Sequence, residues 1–541
     1  MALKSFENFE ISDYIFLLST ILTIYVARYY YKYFTRVNPL PGPFPFPFVG
    51  NLPQYYLWSK GDSKIFYGYN FKKYGDIYEV HLGVRSIILC RTEHIEKLLT
   101  PSTKNSHVMR LPNSKGLEEL GISGKGILTN NDFKSWKYNR QFFTQAILLP
   151  KFTNEAIDWT NKLFDELESY WNKLFHKEEN KNKTNFAAWF HHYTNDMIIK
   201  LLTGERSYSM AAYFDTLSDK KSGHTPAIID DSVKLVQALR KHLLGFSMFY
   251  FVSPFLRHYV PFFKNKANDL LLNMKFINKR LDTIIKRRRQ EIENTPLDKP
   301  LLSNDMLTSS ITANTPRDTN YTKTVDGEAL NRPMTDTEIR GNILDGFLGG
   351  TDTTANTISF IIYYLAHNPD VKKKMLEEID RIFQGDKVRP ITKDDFHSLK
   401  YCEAIVKEVS RVFPAVTSFA RYIDKPSEIA GYQWQADTLF RINADAIHDN
   451  KDYWEEPDKF NPDRWMVEGF EPKKNSFIMF GGGLRLCPGR KLAMIELICL
   501  TALLFRKYEI DLVDMDAPLK TINGGGVTVC TELLVEIKPR N

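Results

Sequence analysis

The chain has 541 residues, of which 43% are hydrophobic, 13% aromatic and 25% charged, a composition typical of a folded protein. The net charge of +7 is small for this length and no dense block of lysine and arginine occurs, which argues against a nucleic-acid-binding protein. Length alone would indicate about three domains. Five scattered cysteines are typical of reduced thiols in a cytosol-facing chain and not of a disulfide framework.

The first predicted element is an apolar run near the N-terminus. Residues 14–27 carry no charge. A membrane span needs roughly 20 residues, and Arg28 and Lys32 can extend this run by snorkelling. A cleaved signal peptide is less favoured because the preceding segment has no basic region, and a core helix because a proline-rich stretch separates the run from the rest. We expect a lumenal N-terminus and transmembrane anchor over residues 1–34, with the positively charged side and the body in the cytosol.

A stiff spacer is predicted to follow the anchor. Residues 38–52 contain five prolines, which fix φ and cannot continue a helix. Residues 35–53 are therefore expected to form a hinge, and residues 54–541 a catalytic domain. Early in that domain, the stretch YEVHLGVRSIILC predicts two short strands around a turn at Gly83.

The rest of the chain has a mostly helical pattern from Trp136 onward, with breaks at 176–186 and 215–226. A polar stretch at 312–335 is typical of a disordered or surface insertion. Residues 521–538 predict a strand hairpin at the C-terminus. Its glycines indicate a turn and not a phosphate loop, because no Gly-Lys-Ser/Thr follows them.

Two pairs of polar side chains are spaced to share a helix face. Trp136 and Arg140 are four residues apart, so the indole N–H and the guanidinium can both reach one carboxylate. Glu408 and Arg411 are three residues apart and, taken alone, are most simply a solvated surface pair. Both patterns are common, so neither identifies a site without further signals.

Two adjacent glycines interrupt the helical pattern of FLGGTDTTANTI, residues 347–358. Gly349 and Gly350 each cost about 1 kcal/mol in a helix relative to alanine, so a compensating gain is required. Close packing against another helix is one explanation, and a local widening of the helix beside a ligand is the other. An acid and an alcohol, Asp352 and Thr353, follow at once, as proton transfer at a buried site would require.

A single cysteine lies in the glycine-rich stretch FGGGLRLCPGR, residues 480–490. Glycines allow a backbone to approach a flat ligand closely. The N–H groups of Leu486 and Gly489, together with Arg485, would favour the thiolate of Cys487, which is the form that binds metals. A buried structural cysteine in a turn is the alternative.

The pattern Phe480-x-x-Gly483-x-Arg485-x-Cys487-x-Gly489 resembles the haem-binding loop of the cytochrome P450 family at every position. The resemblance implies that Cys487 is the axial thiolate ligand of the iron of haem b. It also implies that Arg485 pairs with a haem propionate and that Phe480 packs beside the sulfur. A thiolate ligand of this kind favours O–O cleavage.

Further motifs of the family occur upstream in the expected order, so the resemblance extends from the hinge to the C-terminal hairpin. Asp352 and Thr353 match the acid and the alcohol of the oxygen-activation motif, whereas Gly349 departs from the alanine common there and adds space. The remaining matches imply a structural charge triad and three residues that bind haem propionates: Glu408, Arg411 and Arg464; Trp136, Arg140 and Arg421. The implied fold is one large, mostly α unit with small β-sheets, in place of three domains.

The resemblance implies a haem-thiolate monooxygenase that inserts one oxygen atom of dioxygen into a lipophilic substrate, such as a fatty acid, sterol or terpenoid. The aromatic stretch 245–263 is either part of an access channel and membrane-dipping lid or ordinary core. Sterol 14-demethylases carry a histidine where this chain has Asp352, so that subclass is disfavoured. The alternatives are a peroxide isomerase or dehydratase and a non-catalytic haem protein, and the intact pair of Asp352 and Thr353 argues against both.

No flavin or NADPH domain fits beside the implied fold, so electrons are expected from NADPH–cytochrome P450 reductase, with cytochrome b5 as an optional second partner. This implies a single-pass protein of the endoplasmic reticulum membrane with a cytosolic catalytic domain. Four basic residues flank the cysteine loop and are either a docking site for an acidic partner or ordinary solvated charge. They are Lys473, Lys474, Arg490 and Lys491.

Overall fold

Helices dominate the structure, a computed structural model that describes residues 10–100, 109–111, 114–148, 150–175, 182–224, 231–301, 305–318 and 332–540. The helices are α1 Ile11–Phe34, α2 Ser63–Tyr74, α3 Thr92–Leu99, α4 Lys115–Glu119, α5 Phe133–Leu148, α6 Pro150–Phe175, α7 Phe186–Thr203, α8 Ser209–Leu217, α9 Ser232–Gly245, α10 Ser247–Phe251, α11 Pro254–Tyr259, α12 Pro261–Asn294, α13 Met306–Thr312, α14 Asp336–His367, α15 Pro369–Phe383, α16 Lys393–Ser398, α17 Lys400–Val412, α18 Ala444–His448 and α19 Arg490–Lys507.

The strands form four small sheets. They are β1 Ile77–Leu82, β2 Val84–Leu89, β3 Lys183–Asn185, β4 Ser418–Ile423, β5 Ser427–Ile429, β6 Tyr432–Trp434, β7 Thr438–Asn443, β8 Tyr508–Leu512, β9 Lys520–Gly524, β10 Val527–Glu532 and β11 Leu534–Pro539. The largest sheet has the order β1-β2-β7-β4, in which only β2 and β7 run parallel. The predicted mostly α fold with small sheets is confirmed.

Two predictions about strands have different outcomes. The strands predicted around Gly83 are confirmed as β1 and β2, an antiparallel pair whose turn residue has a φ of +72°. The C-terminal stretch is more than one hairpin. Strands β9 and β10 form a hairpin, but a register shift between Cys530 and Glu532 interrupts it. Strand β11 then pairs with β3 and β8, which brings Val535 and Ile537 into the core.

The long helix α14 lies at the centre of the main core. It begins with a capping box, in which the Thr335 hydroxyl accepts from the Glu338 N–H and the Glu338 carboxylate accepts from the Thr335 N–H. Helix α14 packs most extensively against α7 and also contacts α9, α12, α17 and α19. The other elements of the core are therefore arranged around α14.

Helix α1 is the one helix in the described ranges that is long and apolar enough to cross a membrane, and none of its residues is buried. The C-terminal half of α1 contacts the proline-rich stretch, where Tyr25 stacks on Phe48 with ring centroids 4.0 Å apart. The hinge is tied to the body by an ion pair of 2.5 Å between Arg36 and Glu79. The orientation of α1 is therefore set by aromatic and ionic contacts next to the sheet.

Parts of the predicted breaks and of the polar insertion lie outside the described residues, at 176–181, 225–230 and 319–331. The described remainder of the first break contains β3, which the helical pattern did not indicate. The five cysteines are all free, and only Cys487 is not fully buried.

Candidate active site

The loop that carries Cys487 is closed by hydrogen bonds within its own backbone. A 3-10 turn at Gly483–Arg485 precedes the cysteine. The Cys487 N–H donates to the Phe480 carbonyl at 2.9 Å, and the Leu486 N–H donates to the Gly483 carbonyl at 3.1 Å. Gly483 has a φ of +66°, and a Cβ there would lie 2.6 Å from the Leu99 carbonyl oxygen, so only glycine fits. The sulfur is therefore held at a fixed place.

Burial and nearby charge act in opposite directions on the sulfur. Burial raises the pKa of the Cys487 thiol, whereas the Gly489 N–H and the positive charges of Arg140 and Arg110 act to lower it. Of the two N–H donors expected from the sequence, only Gly489 faces the sulfur, because Leu486 donates within the turn. A bound metal ion would supply the further positive charge that makes the thiolate the stable form.

Three arginines from separate parts of the chain converge on this loop and its own Arg485: Arg110, Arg140 and Arg421. Backbone carbonyls accept hydrogen bonds from each of them, and Arg485 donates to two, at Ile127 and Asn130. Burial, with the charge of neighbouring arginines, lowers the pKa of Arg485 to about 8 and that of Arg421 to about 9. Several positive charges therefore lie close together in a buried place.

Asp345 is an acidic side chain that bears on this cluster, and its carboxylate also accepts from the Ile127 and Leu128 N–H groups at 2.6 and 2.7 Å. The Trp136 ring lies 4.5 Å from the Arg485 guanidinium, and its buried Nε1–H has no hydrogen-bond partner among the described residues. Four cations and an unpaired donor fit a ligand that brings two carboxylates, and haem is such a ligand.

The two adjacent glycines of α14, Gly349 and Gly350, have different surroundings. A Cβ on Gly350 would lie 2.5 Å from Ile198 Cγ1 on α7, so this glycine allows close helix packing. A Cβ on Gly349 would meet no atom within 4 Å, so this glycine borders open space. The helix is continuous here and shows no local widening. Thr353 lies one turn after Gly349, and its hydroxyl donates to the Gly349 carbonyl at 2.6 Å.

Asp352 points away from that open space, toward α7 and α9. Its side chain is fully buried, with Oδ1 3.1 Å from Nε2 of His191 and 3.7 Å from Nε of Arg240. Neither basic residue was singled out from the sequence, since each lies in an ordinary helical pattern without a motif. Arg110 was also missed, because it lies in an irregular segment without a motif. Only the packing of distant elements brings these three residues to the site.

The structure brings Glu408, Arg411 and Arg464 into one buried ion cluster. The Arg411 guanidinium donates to both carboxylate oxygens of Glu408, at 2.8 and 3.0 Å, and Arg464 Nε donates to the same carboxylate at 3.1 Å. Trp465 Nε1 adds a fourth donor at 2.8 Å. The pair that looked solvated by spacing alone is thus fully buried.

The aromatic stretch 245–263 divides into two parts. Residues 248–251 are buried in the core, whereas the side chains of Phe255, Tyr259 and Phe262 are 64%, 73% and 66% exposed. The core interpretation is confirmed for residues 248–251, and the role of the exposed part as a channel or membrane-dipping lid stays a prediction.

The basic residues around the cysteine loop differ in their surroundings. Lys473 and Lys474 form ion pairs with two glutamates of α3 at 2.6 and 2.8 Å, whereas Arg490 is exposed.

A mostly helical fold that holds one thiol beside a buried arginine cluster fits a protein that binds a cofactor with two carboxylates and a metal ion. The cytochrome P450 family model matches residues 40–538. Cytochrome P450 3A18 of Rattus norvegicus is 26% identical over 508 residues, which cover 91% of this chain and 90% of that protein. Cytochrome P450 81F1 of Arabidopsis thaliana is 25% identical over 484 residues, 88% of each chain.

The chain belongs to the cytochrome P450 family. It is therefore a haem-thiolate monooxygenase whose cofactor is haem b, as the cysteine loop indicated. A shorter similarity, 34% identity over 175 residues, relates 32% of the chain to cytochrome P450 4V2 of Rattus norvegicus. The relatives differ from this chain at about three positions in four, so its substrate has to be inferred from its own residues.

Proposed function

We propose that this monooxygenase oxidises a lipophilic substrate of the fatty acid, sterol or terpenoid class, with Asp352 and Thr353 supplying the protons that O–O cleavage consumes. The open face of α14 carries the proposal. Gly349 borders open space, and Thr353, one turn later, lies on the same face. Because the Thr353 hydroxyl donates its hydrogen bond to the Gly349 carbonyl, its oxygen is left to accept a hydrogen bond from the reacting molecule.

Haem, when bound, supplies the redox chemistry, in which the Cys487 thiolate favours cleavage of the O–O bond. The residues of this chain hold the cofactor in place. In this proposal Phe480 packs beside the sulfur, and five residues bind the two propionates through charge-assisted hydrogen bonds. They are Arg110, Trp136, Arg140, Arg421 and Arg485.

We assign a structural role, and not a catalytic one, to Glu408, Arg411 and Arg464. Arg411 also donates to the carbonyls of His448, Pro457 and Lys459, so the cluster ties α17 to the irregular segment that leads into the cysteine loop. Removing one partner of a buried ion pair costs about 3–5 kcal/mol, because the other charge is left unpaired. The cluster therefore fixes the segment on which the sulfur depends.

A lipophilic substrate is supported by the apolar helix α1 and by an exposed apolar surface formed by Leu57, Trp58, α11 and α12. With 24 residues, α1 is about 36 Å long, enough to cross the roughly 30 Å core of a bilayer. Exposed Leu57 and Trp58 lie next to the exposed aromatic residues of α11 and α12, since the rings of Tyr56 and Phe263 are 6.4 Å apart. We propose that this surface rests on the membrane of the endoplasmic reticulum, with the catalytic domain in the cytosol.

Electrons would come from a separate protein, NADPH–cytochrome P450 reductase, with cytochrome b5 as an optional second donor. Exposed Arg490 and the exposed Lys134 and Lys137 of α5 make the surface next to Cys487 basic. Lys473 and Lys474 contribute less, because each is already paired with a glutamate. An acidic partner is attracted to such a surface by complementary charge, which increases the rate of association.

The proposal is tested with the full chain and the reductase in lipid vesicles. Candidate fatty acids, sterols and terpenoids are screened for a change in the haem spin state, and product is then measured per NADPH consumed. We expect Thr353→Ala to lower this ratio at least tenfold, within the range of proton-transfer catalysis. Thr354→Ala, one residue along and buried, is the matched control. An unchanged ratio in Thr353→Ala would remove Thr353 from the relay, and turnover of a peroxide without NADPH would favour an isomerase.

A further inference from the structure

His191 contacts the acid of the proposed relay in a way that fixes its own protonation. Its Nδ1 lies 2.5 Å from the carbonyl oxygen of Ala187, one turn earlier in α7. A carbonyl oxygen only accepts hydrogen bonds, so Nδ1 carries a proton. The other ring nitrogen, Nε2, lies 3.1 Å from Oδ1 of Asp352. The side chains are 2% and 0% exposed, so water does not separate the two atoms.

The contact is stabilised when one of the two groups carries a proton. Without it, an unprotonated Nε2 would lie 3.1 Å from the negative charge of the carboxylate in a buried place, which is unfavourable. With it, the pair is either imidazolium and carboxylate or imidazole and carboxylic acid, and the proton count is the same. Neither oxygen of Asp352 has an aligned hydrogen bond among the described residues, so His191 makes an ion-pair contact, which Arg240 joins at 3.7 Å. His191 is therefore the nearest group that can neutralise Asp352.

We propose that His191 is a positioning residue that keeps this proton at Asp352 and holds the carboxyl group between one transfer and the next. The inference rests on the proposed function of Asp352 and Thr353. Because the Asp352 side chain faces α7 and α9, its carboxyl group has to turn toward Thr353 to give a proton, and the pair then regains one from solvent beside Arg240. The Arg240 side chain is 27% exposed and its Nε lies 3.7 Å from Asp352 Oδ1, so it connects the buried pair with the outside.

The surroundings of His191 offer a matched control. The titratable groups that the described residues bring here are Asp352 on α14, Arg240 on α9 and His192 on α7, while Cys530 on β10 lies beside Arg240. His192 is equally buried but turns away, with Nδ1 2.7 Å from the Ser209 hydroxyl. Burial lowers the pKa of His192 to about 3, so it stays neutral and holds no proton for Asp352.

The test compares His191→Gln with His192→Gln in the reconstituted enzyme with the reductase. Glutamine keeps the size and a hydrogen bond but cannot hold an additional proton. For His191→Gln we expect about a tenfold loss of product per NADPH, less than for a direct proton donor, and a larger solvent deuterium isotope effect on product formation. His192→Gln should match the wild type in both. An unchanged isotope effect and ratio in His191→Gln would overturn the inference.

A second measurement does not depend on turnover. In thermal unfolding of the haem-loaded chain, His191→Gln and Asp352→Asn should each lower stability, and the double variant should lose less than the sum. Additive losses would show that the two side chains do not interact and would overturn the inference. If Thr353→Ala and Asp352→Asn also leave product per NADPH unchanged, the relay itself is wrong. If they lower it and His191→Gln does not, only the role of His191 is wrong.

Discussion

Alanine at the two adjacent glycines of α14 is expected to have opposite effects on stability. In a helix, alanine is more favourable than glycine by about 1 kcal/mol at both positions. At Gly349 nothing opposes this gain, since a Cβ there would meet no atom within 4 Å. At Gly350 a Cβ would lie 2.5, 2.7 and 2.9 Å from three atoms of Ile198.

The magnitude follows from these distances. Overpacking of a close-packed core costs about 1–3 kcal/mol, because side chains leave their preferred rotamers or the backbone moves. Since Cβ and Cγ1 of Ile198 lie close to its own backbone, a simple rotation cannot relieve the overlap, and α7 has to shift. Gly349→Ala is therefore expected to be more stable than Gly350→Ala by about 1–3 kcal/mol.

The assay is the temperature at which half of the haem-loaded protein loses its ferrous–carbon monoxide spectrum, because unfolding of a protein of this size is commonly irreversible. Ile198→Ala provides the control. It costs stability by itself, but it removes two of the three overlapping atoms, Cγ1 and Cδ1, so the loss caused by Gly350→Ala should be smaller in its presence. A Gly350→Ala variant at least as stable as Gly349→Ala, or a loss that Ile198→Ala does not reduce, would contradict the packing explanation.

Three further outcomes follow from buried groups. Trp136→Phe keeps the ring but removes the unpaired Nε1–H, so transfer of haem to apomyoglobin should be faster, by up to about tenfold. Glu408→Gln should destabilise the chain by about 3–5 kcal/mol and reduce the yield of haem-loaded protein, because two arginines stay buried without their carboxylate. Burial raises the pKa of Glu496 well above its usual range. A raised folded-state pKa means that stability is lost as pH rises above about 4.3, the unfolded value. Glu496→Gln should therefore be more thermostable than the wild type at pH 8, with a difference that shrinks toward pH 5.

Local chemistry explains why so much of the site could be predicted. The turn around Cys487 depends on glycine at fixed offsets, and the strands around Gly83 depend on alternation of side chains. Both signals lie within a dozen residues. The same is true of Trp136 and Arg140, whose spacing on a helix places them on one face. The apolar run of α1 also needs no partner within the chain to be recognised.

Tertiary structure decided what such local patterns leave open. The two glycines of α14 are equivalent in sequence, and only the position of α7 shows that Gly350 packs while Gly349 borders open space. Glu408 and Arg411 have the spacing of a surface pair, yet the fold buries them, because the segment around Arg464 covers that face of α17. Burial depends on what covers a face, and the sequence of the face does not contain that information.

The cysteine loop, the apolar helix α1 and the order of the motifs were determined by the sequence alone, because each rests on neighbouring residues and their conformational preferences. The arginine cluster and the pairing of Asp352 with His191 were decided only by tertiary structure. Arg110, Arg140, Arg421 and Arg485 lie as much as 375 positions apart, and His191 lies on a different helix from Asp352. Contacts between such distant elements form only when the whole core packs, so no local pattern records them.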